Sequence, residues 1–167
     1  MSAPAITVAK LRRLIEYSPT TGSFRWRVTR SSTARAGGDA GTEAKGGYLK
    51  IMLDGRQYSA ARVAWAHSYG EWPTERVSFR DGNPKNRRLK NLRLGSMSQV
   101  VAHSRLRSDS TSGFKGVSRE PTTGKWMAYV NKDKRRVYLG CFPTKRAAHA
   151  AYVTAARQIH GEFARSH

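Results

Sequence analysis

The chain has one cysteine, Cys141. An internal disulfide is therefore impossible, and a zinc site built from several thiolates is excluded. Acidic residues are scarce. Eleven Asp and Glu stand against 31 Lys and Arg, a formal net charge of +20. Long apolar runs are missing as well. No stretch reaches the ~18 residues that mark a membrane-spanning helix, and no lipidation motif or long basic amphipathic helix takes its place. The first residues, MSAPAITVAKLRR, lack the apolar core of a signal peptide. The chain is therefore expected inside a cell, in the cytoplasm.

What is present follows from that imbalance. A pI near 11.1 exceeds what solubility requires. Its usual physical meaning is a polyanionic partner, because each Lys or Arg seated on a phosphate releases a condensed counterion. An anionic membrane would attract the same charge, but the features that insert into one are absent. A merely solvated basic surface is the bland alternative, and the size of the excess favours nucleic acid. The net charge is +12 up to Thr111 and +8 from Ser112 on, so both halves can face phosphate. Hydrophobic residues make up 38%, with four Trp and seven Tyr, which argues for a folded chain. Its 167 residues leave room for one ordinary domain or two small ones.

The local patterns divide the chain. Thr7 to Tyr17 places Val8, Leu11, Leu14 and Ile15 on one helical face, with Thr7 as the cap. Gly22 to Val28 alternates as a half-buried strand, with Arg25 and Arg27 opposite Phe24, Trp26 and Val28. Asp54-Gly55 between Tyr48–Leu53 and Arg56–Ser59 is a hairpin signal. Arg62 to Tyr69 is helical and stops at Gly70. The stretch 103–112 is polar and basic, with Arg105 and Arg107, and reads as a linker able to follow a nucleic-acid backbone. Strands are then expected over 114–119, 126–131 and 136–139. A helix follows from the Thr144 cap to His160, burying Ala148, Ala151, Tyr152, Ala155 and Ile159. Gly161 ends it.

Phe114-Lys-Gly-Val117, Gly124-Lys-Trp-Met-Ala128, Val137-Tyr-Leu-Gly-Cys-Phe142 and the helix from Thr144 to Ala156 resemble the Apetala-two or ethylene-response-factor DNA-binding domain. In that family the sheet lies in the major groove. The resemblance implies contact sites at Lys115, Ser118, Lys125, Tyr129, Asn131, Arg136, Tyr138 and Tyr152. Arg119 and Arg135 are added on charge alone. Ser118, Asn131, Tyr129 and Tyr138 depart from the common plant pattern, so a plant target sequence does not transfer. Trp126, Tyr138 and Phe142 are as well suited to filling the sheet–helix interface as to meeting DNA.

Residues from Leu11 to about Arg105 resemble the phage and intron-encoded HNH homing endonucleases. The shared frame includes Tyr17-Ser-Pro-Thr-Thr-Gly-Ser-Phe-Arg-Trp26, Arg62-Val-Ala-Trp65, Asp81-Gly-Asn83 and Asn91-Leu-Arg93. That chemistry needs a divalent ion on the scissile phosphate and a histidine to activate water. Here the Asp-His positions hold Ser78-Phe79, and Gln99-Val100 stands where relatives carry Gln-Asn. Ala61 replaces the histidine before Arg62. Phe79 takes no proton, and Ser78 and Val100 are poor substitutes for the lost ligands. Asp81, His67 and His103 are the candidates for rescue. The retained Asn83, Asn91 and Leu92 hold the hairpin. Arg80, Lys85, Arg87, Arg88, Lys90 and Arg93 suit phosphate contact.

The expected architecture is α+β: a degenerate ββα-type HNH module over 1–102, a basic linker over 103–112, and a three-stranded antiparallel sheet packed on one helix over 113–167. The expected function is non-catalytic, sequence-preferring binding of double-stranded DNA. It implies no cofactor, a phage or prophage origin, and a regulatory, accessory or inhibitory role, with a host or phage nucleic-acid-processing protein as a further partner. Two alternatives stand beside it. One is an active endonuclease or nickase with a rearranged site, which would need Mg²⁺. The other is a basic effector that docks on a host protein.

Overall fold

The computed structural model describes residues 6–133 and 135–165. The ends of the two expected modules, 1–5 and 166–167, lie outside the described residues. The chain divides into two compact units, residues 1–94 and 95–167.

In the first unit, α1 (Val8–Leu14) starts at Thr7, whose hydroxyl oxygen accepts the Lys10 N–H. The helix was expected to reach Tyr17 but ends at Leu14. Ile15–Tyr17 instead forms β1, paired antiparallel with β2 (Phe24–Trp26) through Ile15–Trp26 and Tyr17–Phe24. Residues two apart share a strand face, so Ile15, Tyr17, Phe24 and Trp26 are all buried on one side. Continuing the helix would have separated Ile15 from Tyr17. The expected strand over 22–28 is shorter, and Val28 is exposed. A second sheet joins β3 (Thr42–Ala44), β4 (Tyr48–Leu53) and β5 (Arg56–Ser59). Asp54 and Gly55 turn β4 into β5 with φ of +49° and +73°, as a two-residue hairpin of the primed type requires. The next helix, α2 (Ala60–Tyr69), lays Ala60, Ala61, Val63, Ala64 and Ala66 into the core. There they meet Leu11, Ile51 and Leu53. Two short strands, β6 (Arg76–Phe79) and β7 (Leu92–Gly95), then pair with each other.

The second unit opens with α3 (Met97–His103). Ser96 caps it: its Oγ accepts the Gln99 N–H, and Gln99 Oε1 accepts the Ser96 N–H at 2.8 Å. By packing this helix groups with the second unit. The three-stranded antiparallel sheet has the order β10 (Arg135–Phe142), β9 (Trp126–Lys132), β8 (Val117–Arg119). It packs on α4 (Lys145–His160), which Thr144 caps. This is the expected α+β arrangement of three strands on one helix. The core is thin and made of small residues: Val117, Ala128 and Ala148 at one end, Val130, Tyr152 and Ala156 at the other. Trp126 and Phe142 pack against it.

Two details set the sheet. Pairing shifts between Tyr138 and Gly140, so β10 carries one extra residue, Leu139, as a bulge. The strand expected from Phe114 begins only at Val117, because Gly116 turns the chain with φ +66°. A Cβ at Gly116 would run into the Tyr152 ring and the Tyr129 carbonyl oxygen. Gly116→Ala is therefore expected to destabilise the protein by about 2–4 kcal/mol from steric conflict and left-handed backbone together. Gly55→Ala meets nothing within 4 Å and should lose only about 1–2 kcal/mol. Thermal unfolding of the two variants checks the difference.

Candidate nucleic-acid interface

The register of the second sheet sorts its side chains. Cross-strand partners share a face. Val117 pairs with Ala128 and Val137 with Val130, and Ala128 and Val130 are buried on the α4 side. The alternate positions bring Arg136 beside Asn131, Tyr138 beside Tyr129, and Ser118 and Cys141 beside Met127 on the opposite face. Arg136 lies over the Tyr129 ring, its guanidinium carbon 4.1 Å from the ring centre. Tyr138 is 60% exposed, so of the three aromatics with two possible roles it belongs to the outer face, while Trp126 and Phe142 belong to the interior. The outer face thus gathers hydrogen-bonding amide, guanidinium, hydroxyl and phenol groups on one rigid surface.

Other candidates lie elsewhere. Tyr152 is 5% exposed beneath Gly116 and lies off the outer face. Lys115 is half-buried, and its ammonium donates to Ala102 O at 2.5 Å and Ser104 O at 2.6 Å. It is committed to the C-terminal carbonyls of α3, where the helix dipole favours a cation. Burial pushes its pKa down to about 8, with Arg165 adding to the effect. Arg119 pairs with Trp126, and Arg135 with Lys132, on the helix-side parity at opposite corners of the sheet. Both are exposed, but off the outer face. Lys125 is exposed in the turn before β9.

In the first unit the segment between β6 and β7 is a closed hydrogen-bonded loop. Asn91, buried, is its hub. Its Oδ1 accepts the Asp81 N–H, and its Nδ2 donates to Asp81 Oδ1 at 2.9 Å and to Asn86 O at 2.7 Å. Asp81 also accepts from the Asn83 N–H and from Asn86 Nδ2, both at 2.7 Å. Asn83 in turn accepts the Lys85 N–H. Asp81 is thus saturated by turn chemistry. Desolvation pushes its pKa up, but the donors from Asn83, Asn86 and Asn91 outweigh it and leave the carboxyl below its usual range. The loop is stitched to the turn after β1 by Tyr17 Oη donating to Arg87 O at 2.7 Å and by the Leu89 N–H donating to Pro19 O. Of the six basic residues, Arg80, Lys85, Arg88 and Lys90 are exposed. Arg87 is 14% exposed and reaches Glu43 and Gly47 O. Arg93 is buried. These two are structural rather than surface cations.

The positions of the expected nuclease chemistry are now concrete. Ser78 is buried in β6. Phe79 packs on the core and edge-on to Tyr48. Ala61 is a core residue of α2, and Val100 is a partly buried residue of α3. His67 is half-buried beside Tyr17, and burial pushes its pKa down. His103, also half-buried, ends α3. Among the described residues no three His, Cys, Asp or Glu side chains come together to hold a metal ion. Among the described residues no helix is long and apolar enough to cross a membrane. Two contributors were missed in the sequence: Asn86 in the loop, and Ser98, whose hydroxyl meets the end of β9. The Ser96…Gln99 spacing was a legible capping box that would have marked where α3 begins.

Residues 58–102 match the family described as HNH endonuclease, and residues 112–162 match the AP2 domain. The chain therefore joins an HNH-endonuclease-type segment to an AP2-type segment, in the order that the resemblances implied. Among curated proteins, Dehydration-responsive element-binding protein 2A of Oryza sativa is 29% identical over 130 residues, 77% of this chain and 44% of the rice protein. The Arabidopsis thaliana protein of the same name is 41% identical over 59 residues, 34% of this chain and 17% of its own. Dehydration-responsive element-binding protein 2D of Arabidopsis thaliana is 46% identical over 50 residues, 29% of this chain and 24% of its own. The chain spans less than half the length of these relatives.

The saturated Asp81 gives a pH signature. A carboxyl held below its usual range contributes stability that is complete above the ordinary carboxylate range and is lost as pH falls through its folded value. Asp81→Ala should destabilise by about 1 kcal/mol at neutral pH and flatten the acid limb of the stability profile. Denaturant titrations at neutral and acidic pH measure both effects.

Proposed function

We propose that this protein is a non-catalytic, sequence-preferring double-stranded DNA-binding protein derived from an HNH homing endonuclease. The observation that carries the reading is the outer face of the β10-β9-β8 sheet. Asn131, Arg136, Tyr129, Tyr138 and Ser118 stand on it together, while the packing residues occupy the other face. In a major groove, Arg pairs with the guanine edge and Asn with adenine. The match to the AP2 domain and the relatives described as element-binding proteins support the same assignment. Arg80, Lys85, Arg88 and Lys90 of the first unit would add backbone contacts, which position without specifying sequence. Two modules acting on one duplex gain through effective concentration.

The absence of cutting is inferred from side-chain chemistry. Ser78 is buried, Phe79 serves packing, and Asp81 spends its oxygens on turn donors. Loss of a general base alone removes about two to four decades in rate. Binding by the outer face needs no cofactor. The pairing of a nuclease-type and an AP2-type segment in one chain supports a phage or prophage origin and work in the bacterial cytoplasm. There the protein would act as a regulator, or as an accessory or inhibitory factor beside a nucleic-acid-processing protein.

Arg136→Ala and Tyr138→Ala are each expected to weaken duplex binding about tenfold, the scale of one good base contact. Unchanged affinity and salt slope in both would remove the outer face from the mechanism. Supercoiled plasmid incubated with the protein and Mg²⁺ or Mn²⁺ is expected to stay supercoiled. Metal-dependent nicking that disappears in Asp81→Ala would establish the endonuclease reading instead.

A further inference from the structure

The outer face of the second sheet does not end in open solvent. Beside it, α3 and the following segment 104–111 form a wall, and between wall and sheet runs a groove of about 990 Å³. Its lining includes Ser118, Tyr129 and Asn131 of the face already described, together with Val117, Val130, Tyr152 and His160 from the α4 side, so the groove adjoins the outer face at the edge of the sheet.

The wall is anchored at both ends of α3. Near its start, Ser98 Oγ donates to Asn131 O and accepts the Asp133 N–H, each at 3.3 Å, and so caps the end of β9. At its end, the Lys115 ammonium binds Ala102 O and Ser104 O. Ala102 is buried between these points. Ser112 closes the far end of the segment, with its hydroxyl 2.8 Å from Val117 O.

We infer that this groove is a second DNA-binding site, which seats the sugar–phosphate backbone of one strand of the duplex that the outer face reads. The inference rests on the DNA-binding function proposed above. The chemistry of the wall is mixed in the way a nucleotide strand is mixed. Met97 and Val101, one helical turn apart, border the groove and stay 53% and 47% exposed, which suits the apolar faces of deoxyriboses. Arg105 and Arg107 border the same groove beyond the helix and suit phosphates. Arg107 is held by Asp109 at 2.7 and 2.9 Å. Exposed pairs of this kind are worth little, so a phosphate can displace the carboxylate. Asp133 is the other acid at the groove. From Gly95 to the end the chain has 13 basic and 4 acidic residues, a balance that draws an anionic strand and repels a basic peptide.

The test uses the full chain and a fluorescently labelled random-sequence duplex, titrated over a range of salt. Circular dichroism of each variant confirms that it is folded. Arg105→Ala with Arg107→Ala is expected to make the log affinity–log salt slope shallower by about 1.8, since each lost phosphate contact removes about 0.9. Met97→Ala with Val101→Ala is expected to weaken binding about three- to tenfold with the slope unchanged, because apolar contacts release no counterions. If both double variants bind like wild type while Arg136→Ala binds more weakly, the DNA reading stands and the groove inference fails, leaving the groove to another partner. If the wild-type chain does not bind the duplex at all, the proposed function fails and the inference with it.

Discussion

The closeness of α4 to the sheet governs the second unit. Ala128 on β9 and Ala148 and Ala156 on α4 are essentially solvent-free. Small residues at that interface let the helix axis approach the strands, so a thin layer of Val117, Val130 and Tyr152 closes the core. The same approach leaves no room for a side chain at residue 116. Because burial is completed on one side, β9 and β10 place Asn131, Arg136 and Tyr138 on the other side without exposing packing residues. Charge and hydrogen-bonding capacity are thus concentrated by a purely apolar constraint.

The first unit reaches its rigidity by another route. The loop between β6 and β7 has little apolar material of its own. Its shape is set by the amide of Asn91, whose oxygen and nitrogen are both engaged, and by the carboxylate of Asp81. The Tyr17 hydroxyl fastens this loop to the β1–β2 turn, and burial of that phenol pushes its pKa up to about 12. A loop so fully self-bonded keeps its form whatever stands at Ser78 and Phe79. That is why the hairpin keeps its outline beside a buried Ser78 hydroxyl and a packed Phe79 ring.

Elements with strong local grammar were legible in the sequence. The Asp54-Gly55 hairpin, the Thr144 cap, the helix ending at Gly161 and the three C-terminal strands follow from turn chemistry and periodicity. What escaped depended on partners distant in sequence. Ile15 and Tyr17 fit a helical face as well as a strand, and only β2 decides between them. Arg87 and Lys115 read as surface cations, because a basic side chain gives no local sign that a carboxylate or a helix end will capture it. Arg119 and Arg135 matched the charge expected of the outer face, but strand register gave them the opposite parity. The role of Ser98 was hidden for the same reason, since its partners Asn131 and Asp133 lie 33 and 35 residues away.

The bulge at Leu139 has a consequence for how this surface can change. With the extra residue, Leu139 and Phe142 both turn toward the packed side although they are three apart, and Tyr138 and Cys141 both turn outward. The bulge works as a phase adjuster between two stretches of one strand. Exchanging letters on the outer face leaves that phase intact. Removing a single residue from β10 would turn one stretch over, sending Arg136 and Tyr138 into the alanine layer or Phe142 into water. The surface is therefore open to drift by replacement and closed to drift by insertion or deletion: its vocabulary can vary, but its metre cannot.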